Sequence, residues 1–225
     1  MPLRQVFKTG ILPLNRIEAF SDGVIAIIIT ILVLEIKVPD VHTALDLRSA
    51  LHDELINTIP KILSYIVSFV VLAVLWVEHH HLFHLIKHSD QGVLWLNSLF
   101  LMCLALIPFP TGLIGEYPLE PVSSLWYGAV FILTRLSFLL LRWYVTHKSG
   151  LLEEDVSKEL HRRIIRRYLL SPVLYAVATL LVFVHPYISL VGFAIIPLIP
   201  FYYFVPIFLK RHYWRFLESL SKDTQ

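Results

Sequence analysis

Six apolar blocks divide this chain of 225 residues, at about 17–38, 59–77, 93–107, 125–143, 168–184 and 187–209. A bilayer crossing takes roughly 17–25 residues, so each block has the length of a span or falls slightly short of it. Lipid offers no hydrogen-bond partners, so a spanning backbone must satisfy itself as a helix or a closed barrel. The blocks lack the period of two that barrel strands require. The fold class that follows is all-α: a polytopic membrane protein of six transmembrane helices, forming a single domain over 1–225 with no internal repeat. Composition agrees. Apolar residues make up 56% and charged residues 16%, against about 25% charged in soluble domains. Disorder is excluded by the apolar content, and a nucleic-acid partner by a net charge of only +2. The single cysteine, Cys103, rules out an intrachain disulfide and a thiolate metal site. The first block leads into Glu35-Ile36-Lys37 without a small-residue cleavage site, so it reads as a retained helix.

Basic residues give the orientation. With six spans, both ends, the second loop and the fourth loop lie on one side and carry 15 Lys and Arg, among them Arg4, Lys8, Arg16, Lys87, Arg142 and Lys148. The other side carries Lys37, Arg48 and Lys61, and Arg135 sits inside a span. The positive-inside rule then places both termini in the cytoplasm. The long external loop, 39–60, repeats leucine at 47, 51 and 55, which predicts a short amphipathic helix. The basic run at 161–167 predicts contact with anionic membrane lipid. Pro197, Pro200 and Pro206 predict a bent sixth helix.

The first helix is the most informative. Glu18, Ser21 and Asp22 stand unusually close to its apolar core. Such groups face a bundle interior or a water-filled cavity, not lipid. A helix turns by about 100° per residue. With Ile27 at zero, Phe20 falls at about 20°, Gly23 at about 320°, Thr30 at about 300°, Ile31 at about 40° and Leu34 at about 340°. These form one stripe. Asp22, at about 220°, and Ser21, at about 120°, lie off it. Facing a symmetry axis, the stripe presents aliphatic rings and one hydroxyl ring, while Asp22 braces the helix within its subunit.

The pattern Arg16-x-x-x-Phe20-Ser21-Asp22 followed by GVIAIIITILVLEI resembles the first-helix signature of the transmembrane protein 175 family, potassium channels of lysosomes and their prokaryotic relatives. Trp76-x-x-His79-His80, Trp95-Leu96-Asn97 and Pro108-Phe109-Pro110-Thr111 add to the likeness, which is strong over the first three spans. The resemblance implies a prokaryotic form with one six-helix unit, assembled as a homotetramer in the cell (plasma or inner) membrane. It implies a potassium-permeable pore lined by the first helices, with Ile27 as the constriction, Ile31 and Leu34 as further rings, and Thr30 as the hydroxyl tied to ion preference. An aliphatic constriction gates by dewetting. No carbonyl filter of the TVGYG kind occurs in the chain. Selectivity among K⁺ and other monovalent cations therefore rests on side chains and pore width, and no cofactor is needed.

Other polar groups leave choices open. Ser21, Asp22, His79 or His80, and Asn97 fall near the same ends of the first three helices. They can serve as interhelical glue or as a proton-sensitive switch. The glue reading predicts that Asp22 meets His80 or Asn97. His80, His84 and His88 share a helix face at fourfold spacing, a weak metal candidate set against surface imidazoles at a helix end. Arg135 needs a partner, and neither Glu78 nor Asp22 looks deep enough for a direct bridge. A proton-coupled secondary transporter using Asp22 and His80 is the alternative function. An enzyme is not indicated, since no nucleophile elbow, metal triad or nucleotide loop is present.

Overall fold

The structure, a computed structural model, describes residues 13–40, 46–148, 151 and 158–199, with the side chains of 158–167 left aside. Every element among the described residues is helical. In chain order the helices are α1 (Leu14–Ile31), α2 (Leu47–Asn57), α3 (Ile59–Phe83), α4 (Gln91–Ala105), α5 (Pro108–Glu116), α6 (Pro121–His147), α7 (Lys158–Leu180) and α8 (Pro186–Ile195). Short 3₁₀ turns extend α1 (Leu32–Glu35), α7 (Leu181–Phe183) and α8 (Ile196–Leu198).

Four stretches are long and apolar enough to cross a membrane: Leu14–Glu35, Leu47–Phe83, Gln91–Glu116 and Pro121–His147. The fifth and sixth expected spans appear as shorter apolar pieces, Tyr168–Phe183 and Pro186–Leu198. Two local reasons account for this. The first part of α7 carries the basic run, and the sixth block continues past 199, outside the described residues along with Pro200 and Pro206. Arg4 and Lys8 lie outside them as well. Within the described part of the sixth block, α8 passes into a 3₁₀ turn at Pro197, the expected departure from a straight helix.

Proline also shapes the third span. Leu106 and Ile107 donate their N–H groups to Cys103 and Leu104 in tight turns, and Pro108 and Pro110 then open α5 without N–H groups to place. The span therefore continues as α5 beyond 107, where a simple end was expected. The expected loop helix is α2, started by the Asp46 carboxylate, which accepts from the N–H of Arg48 and Ser49. Its leucines, 47, 51 and 55, remain exposed in the protomer.

The core is built around α6, which packs on α4, α5, α7 and α8. Gly128 lets α6 and α7 approach closely, because a methyl group there would run into the Thr179 hydroxyl. Lipid tails are as apolar as leucine, so close packing and polar hooks, not hydrophobicity, decide which helix faces meet. One such hook joins three helices. Ser68 Oγ of α3 lies 2.8 Å from Thr111 Oγ1 of α5 and 2.9 Å from the Tyr127 hydroxyl of α6, all buried. This gives the threonine of the proline motif a structural task that the sequence did not disclose. Against this body α1 lies on one side, packed on α3 and α4.

Candidate pore helix and its polar anchor

The helix α1 has two unlike faces. Ile17, Ser21, Ile25, Ile28 and Leu32 are buried, and on the same wheel they cluster around the phase of Ser21, about 120° from Ile27. The stripe centred on Ile27 is the opposite case. Phe20 is 61% exposed, Ile27 59%, Ile31 40% and Leu34 69%, and Gly23 and Thr30 are exposed too. The stripe residues share one surface of the protomer and do not enter its core. Thr30 Oγ1 donates to the carbonyl of Ile27 at 2.8 Å. That bond uses the hydroxyl proton, so the oxygen lone pairs stay available on the exposed face. Beside the C-terminal half of the stripe, a cleft of about 1070 Å³ opens between α1 and α5, lined by Ile27, Ile31, Glu35, Lys61 and Phe109 among others.

The buried face is fixed by a relay of side chains. His79 Nε2–H donates to Asn97 Oδ1 at 2.9 Å, Asn97 Nδ2 donates to Ser21 Oγ at 2.8 Å, and Ser21 Oγ donates to the Ile17 carbonyl at 2.8 Å. All three side chains are buried. The His79 ring lies between Phe83 and Phe100, with centroids 4.2 and 5.7 Å away. So α1, α3 and α4 are pinned together at one depth. Here an expectation is corrected: Ser21, not Asp22, meets Asn97. Asp22 sits about 100° further round the helix and accepts from the indole of Trp76 at 2.9 Å instead. Trp76 in turn stacks on His80, with centroids 5.9 Å apart. Phe20 and Arg16 point outward and take no part in this anchor.

The histidine run is not a uniform surface feature. At 25 residues, α3 is about 37 Å long, longer than the roughly 30 Å hydrocarbon core. His79 is fully buried, which the surface-imidazole reading missed. His80 and His84 face each other, Nε2 to Nε2 at 3.0 Å. Glu18 Oε1 of α1 approaches His80 Nδ1 at 3.3 Å. The three residues that come together are Glu18, His80 and His84. His88 stays apart, because α3 ends at Phe83 and the fourfold repeat is no longer helical beyond it.

Arg135 has its partner: its guanidinium bonds the Glu78 carboxylate, with both groups buried. The pairing that seemed out of reach is made because a long arginine stem lets the head travel along its helix. Arg142, counted among the cytoplasmic cations, is also buried, with its guanidinium 4.4 Å from the Tyr168 ring centre. At the end of the bundle near the histidines, Asp90 caps α4. It accepts from Val93 N–H at 2.9 Å, from the Tyr144 hydroxyl at 2.9 Å and from the Lys148 ammonium. Burial pushes the Asp90 carboxyl up, but the Lys148 ammonium, the Val93 N–H and the Tyr144 hydroxyl outweigh it and leave it below its ordinary value. Lys148 is correspondingly raised, first by its bond to Asp90 and then by Tyr144. At the other end, Lys61 pairs with Glu116 at 2.6 Å.

The anchor residues fall within the reach of a family model described as the endosomal/lysosomal potassium channel TMEM175, which matches residues 16–108. A potassium channel of Chamaesiphon minutus is 36% identical over 178 residues, covering 78% of this chain and 87% of that one. The crystal structure of a lysosomal potassium-selective channel TMEM175 homolog from the same organism superposes with a TM-score of 0.72 at 33% identity, covering 82% of this chain and 94% of that one. The human endosomal/lysosomal proton channel TMEM175 is 25% identical over 73% of this chain, which spans only 32% of the human protein.

Proposed function

This chain belongs to the endosomal/lysosomal potassium channel TMEM175 family, and from that membership we propose that it is a potassium-permeable cation channel. Four copies surround a central pore lined by α1, in a multi-pass arrangement of six spans across the cell membrane with both termini in the cytoplasm. Ile27 is the constriction, Ile31 and Leu34 form the following rings, and Thr30 turns its hydroxyl oxygen to the passing ion. The permeant K⁺ is the only ligand required.

One observation carries the reading: a protomer buries Ile17, Ser21, Ile25, Ile28 and Leu32 along α1 and its 3₁₀ extension and leaves the stripe of Phe20, Ile27, Thr30, Ile31 and Leu34 bare on another face. Copies arranged about an axis would cover that stripe, and the cleft between α1 and α5 would receive part of a neighbour. Four isoleucine side chains in a ring strip water from an ion and return nothing for it, so conduction depends on how far they part. Rigid anchoring of α1 to α3 and α4 sets that separation. Selectivity is modest, because side-chain hydroxyls and pore width replace a row of carbonyls.

The test is ion flux from liposomes containing purified protein, with particle images giving the symmetry. Ile27→Asn should raise K⁺ flux by at least about tenfold, which corresponds to roughly 1.4 kcal/mol off a barrier. Flux and ion preference unchanged in that variant would remove Ile27 from the gate. Saturable, pH-driven uptake without unitary current steps would favour instead the proton-coupled transporter built on Asp22 and His80.

A further inference from the structure

The geometry points to a divalent transition-metal site, of the kind that takes Zn²⁺, formed by Glu18 of α1 with His80 of α3 and His84 at its C-terminal cap. This site does not depend on what the pore conducts. Its ligands come from two helices, so an occupant joins the two.

One donor atom from each residue lies within 4.8 Å of the others. A tetrahedral zinc with bonds of about 2.0–2.2 Å sets its donors roughly 3.3–3.5 Å apart. The two imidazoles are already at 3.0 Å and need to part slightly. Glu18 Oε1 lies 3.3 Å from Nδ1 of the His80 ring, the nitrogen turned away from His84, so its flexible, half-buried side chain has to swing toward the two Nε2 atoms to share one ion with them. Two imidazoles and a carboxylate suit zinc and leave a fourth position for water. Finally, Trp76 stacks on His80 and donates to Asp22. Such support fixes the ring plane of a ligand in the way that outer contacts orient metal-bound histidines. Spacing alone suggested His80, His84 and His88. The fold exchanges His88 for Glu18 and so turns a one-helix chelate into a bridge between helices.

The experiment uses the full chain, purified in detergent with any affinity tag removed and titrated with ZnCl₂ alone. Bound zinc is measured by elemental analysis after dialysis, and thermal unfolding is followed at each concentration. One zinc per chain and a rise in unfolding temperature are expected. Glu18→Gln, His80→Ala and His84→Ala should each weaken binding by at least about tenfold and abolish the rise, whereas His88→Ala should bind like the parent. Glu18→Gln keeps size and polarity, so it decides the matter even if a histidine variant fails to fold. Parent-like binding in Glu18→Gln, or loss of binding in His88→Ala, would overturn the bridging site. Absence of tight zinc in the parent protein would do the same.

Discussion

The two faces of α1 carry nearly the same side chains and meet opposite fates. Ile25, Ile28 and Leu32 are buried, while Ile27, Ile31 and Leu34 are bare. No hydropathy scale separates these sets. What separates them is Ser21, which shares a phase with Ile25 and Ile28 and whose hydroxyl meets Asn97. In a medium as apolar as the side chains themselves, one polar hook chooses the rotation of the whole helix. The aliphatic residues follow by position and then pack.

The sharpest way to break the comparison is to shorten one leucine on each face. Leu32 is 0% exposed and Leu34 is 69% exposed. Leu32→Ala leaves a cavity against α3 and should cost about 2–4 kcal/mol of stability. Leu34→Ala removes a side chain the protomer does not pack, so denaturation of the isolated protomer should move by less than about 0.5 kcal/mol, and its effect should appear in flux. Equal destabilisation by the two, read from unfolding in detergent, would erase the distinction between the faces.

The hook itself comes next. Asn97→Leu leaves the His79 N–H without an acceptor and takes from Ser21 Oγ the N–H it accepts, while the Ser21 hydroxyl still donates to the Ile17 carbonyl. Interhelical hydrogen bonds in membranes average about 0.6 kcal/mol and reach about 1.7. A loss near the upper value is expected here, because both groups are buried. Asn97→Leu combined with Ser21→Ala should cost less than the two single losses together, since both remove the same Asn97–Ser21 bond. A double variant as damaged as the sum of the singles would show that Ser21 and Asn97 are not coupled.

These contrasts also mark how far the sequence could be read. The helical class and the four membrane-length stretches follow from the apolar blocks, and the phase of α1 follows from the regular turn of a helix. Those are properties of single helices. Which neighbour stands opposite each phase is a property of pairs, and it depends on tilt and on side-chain reach. Asp22 finds Trp76 in place of its expected partner for that reason, although its bracing of α1 against α3 was legible. A signal for Arg135 did exist: Glu78 is an acidic residue directly after the second apolar block, and a charge in an apolar layer is too costly to leave alone. The burial of His79 had a weaker signal, in the spacing of His79 and Phe83 on one face. The pairing of Glu18 with His80 and His84 had none, because it joins residues more than sixty positions apart on two helices.

The smallest effect belongs to the surface, where Asp90 caps α4 and holds Lys148. This end makes a control for the buried anchor, since its charges are in contact with water and screened. The Asp90 carboxyl is held below its ordinary value, so its contribution is in place above the unfolded-chain value of about 3.9 and is lost as pH falls through the lower folded value. Lys148 is raised, so its share is in place below about 10.4 and is lost as pH rises through the higher folded value. Asp90→Asn should therefore unfold slightly earlier than the parent at pH 7, with the gap closing toward pH 3. An asparagine can still cap the helix, so what this variant removes is the charge and not the cap. Asn97→Leu leaves the Asp90–Lys148 pair intact, so its gap should not close toward pH 3 as that of Asp90→Asn does. If thermal scans gave both variants the same pH profile, the buried relay would be electrostatic in character, and the hold of Ser21 on the rotation of α1 would have to be explained by charge.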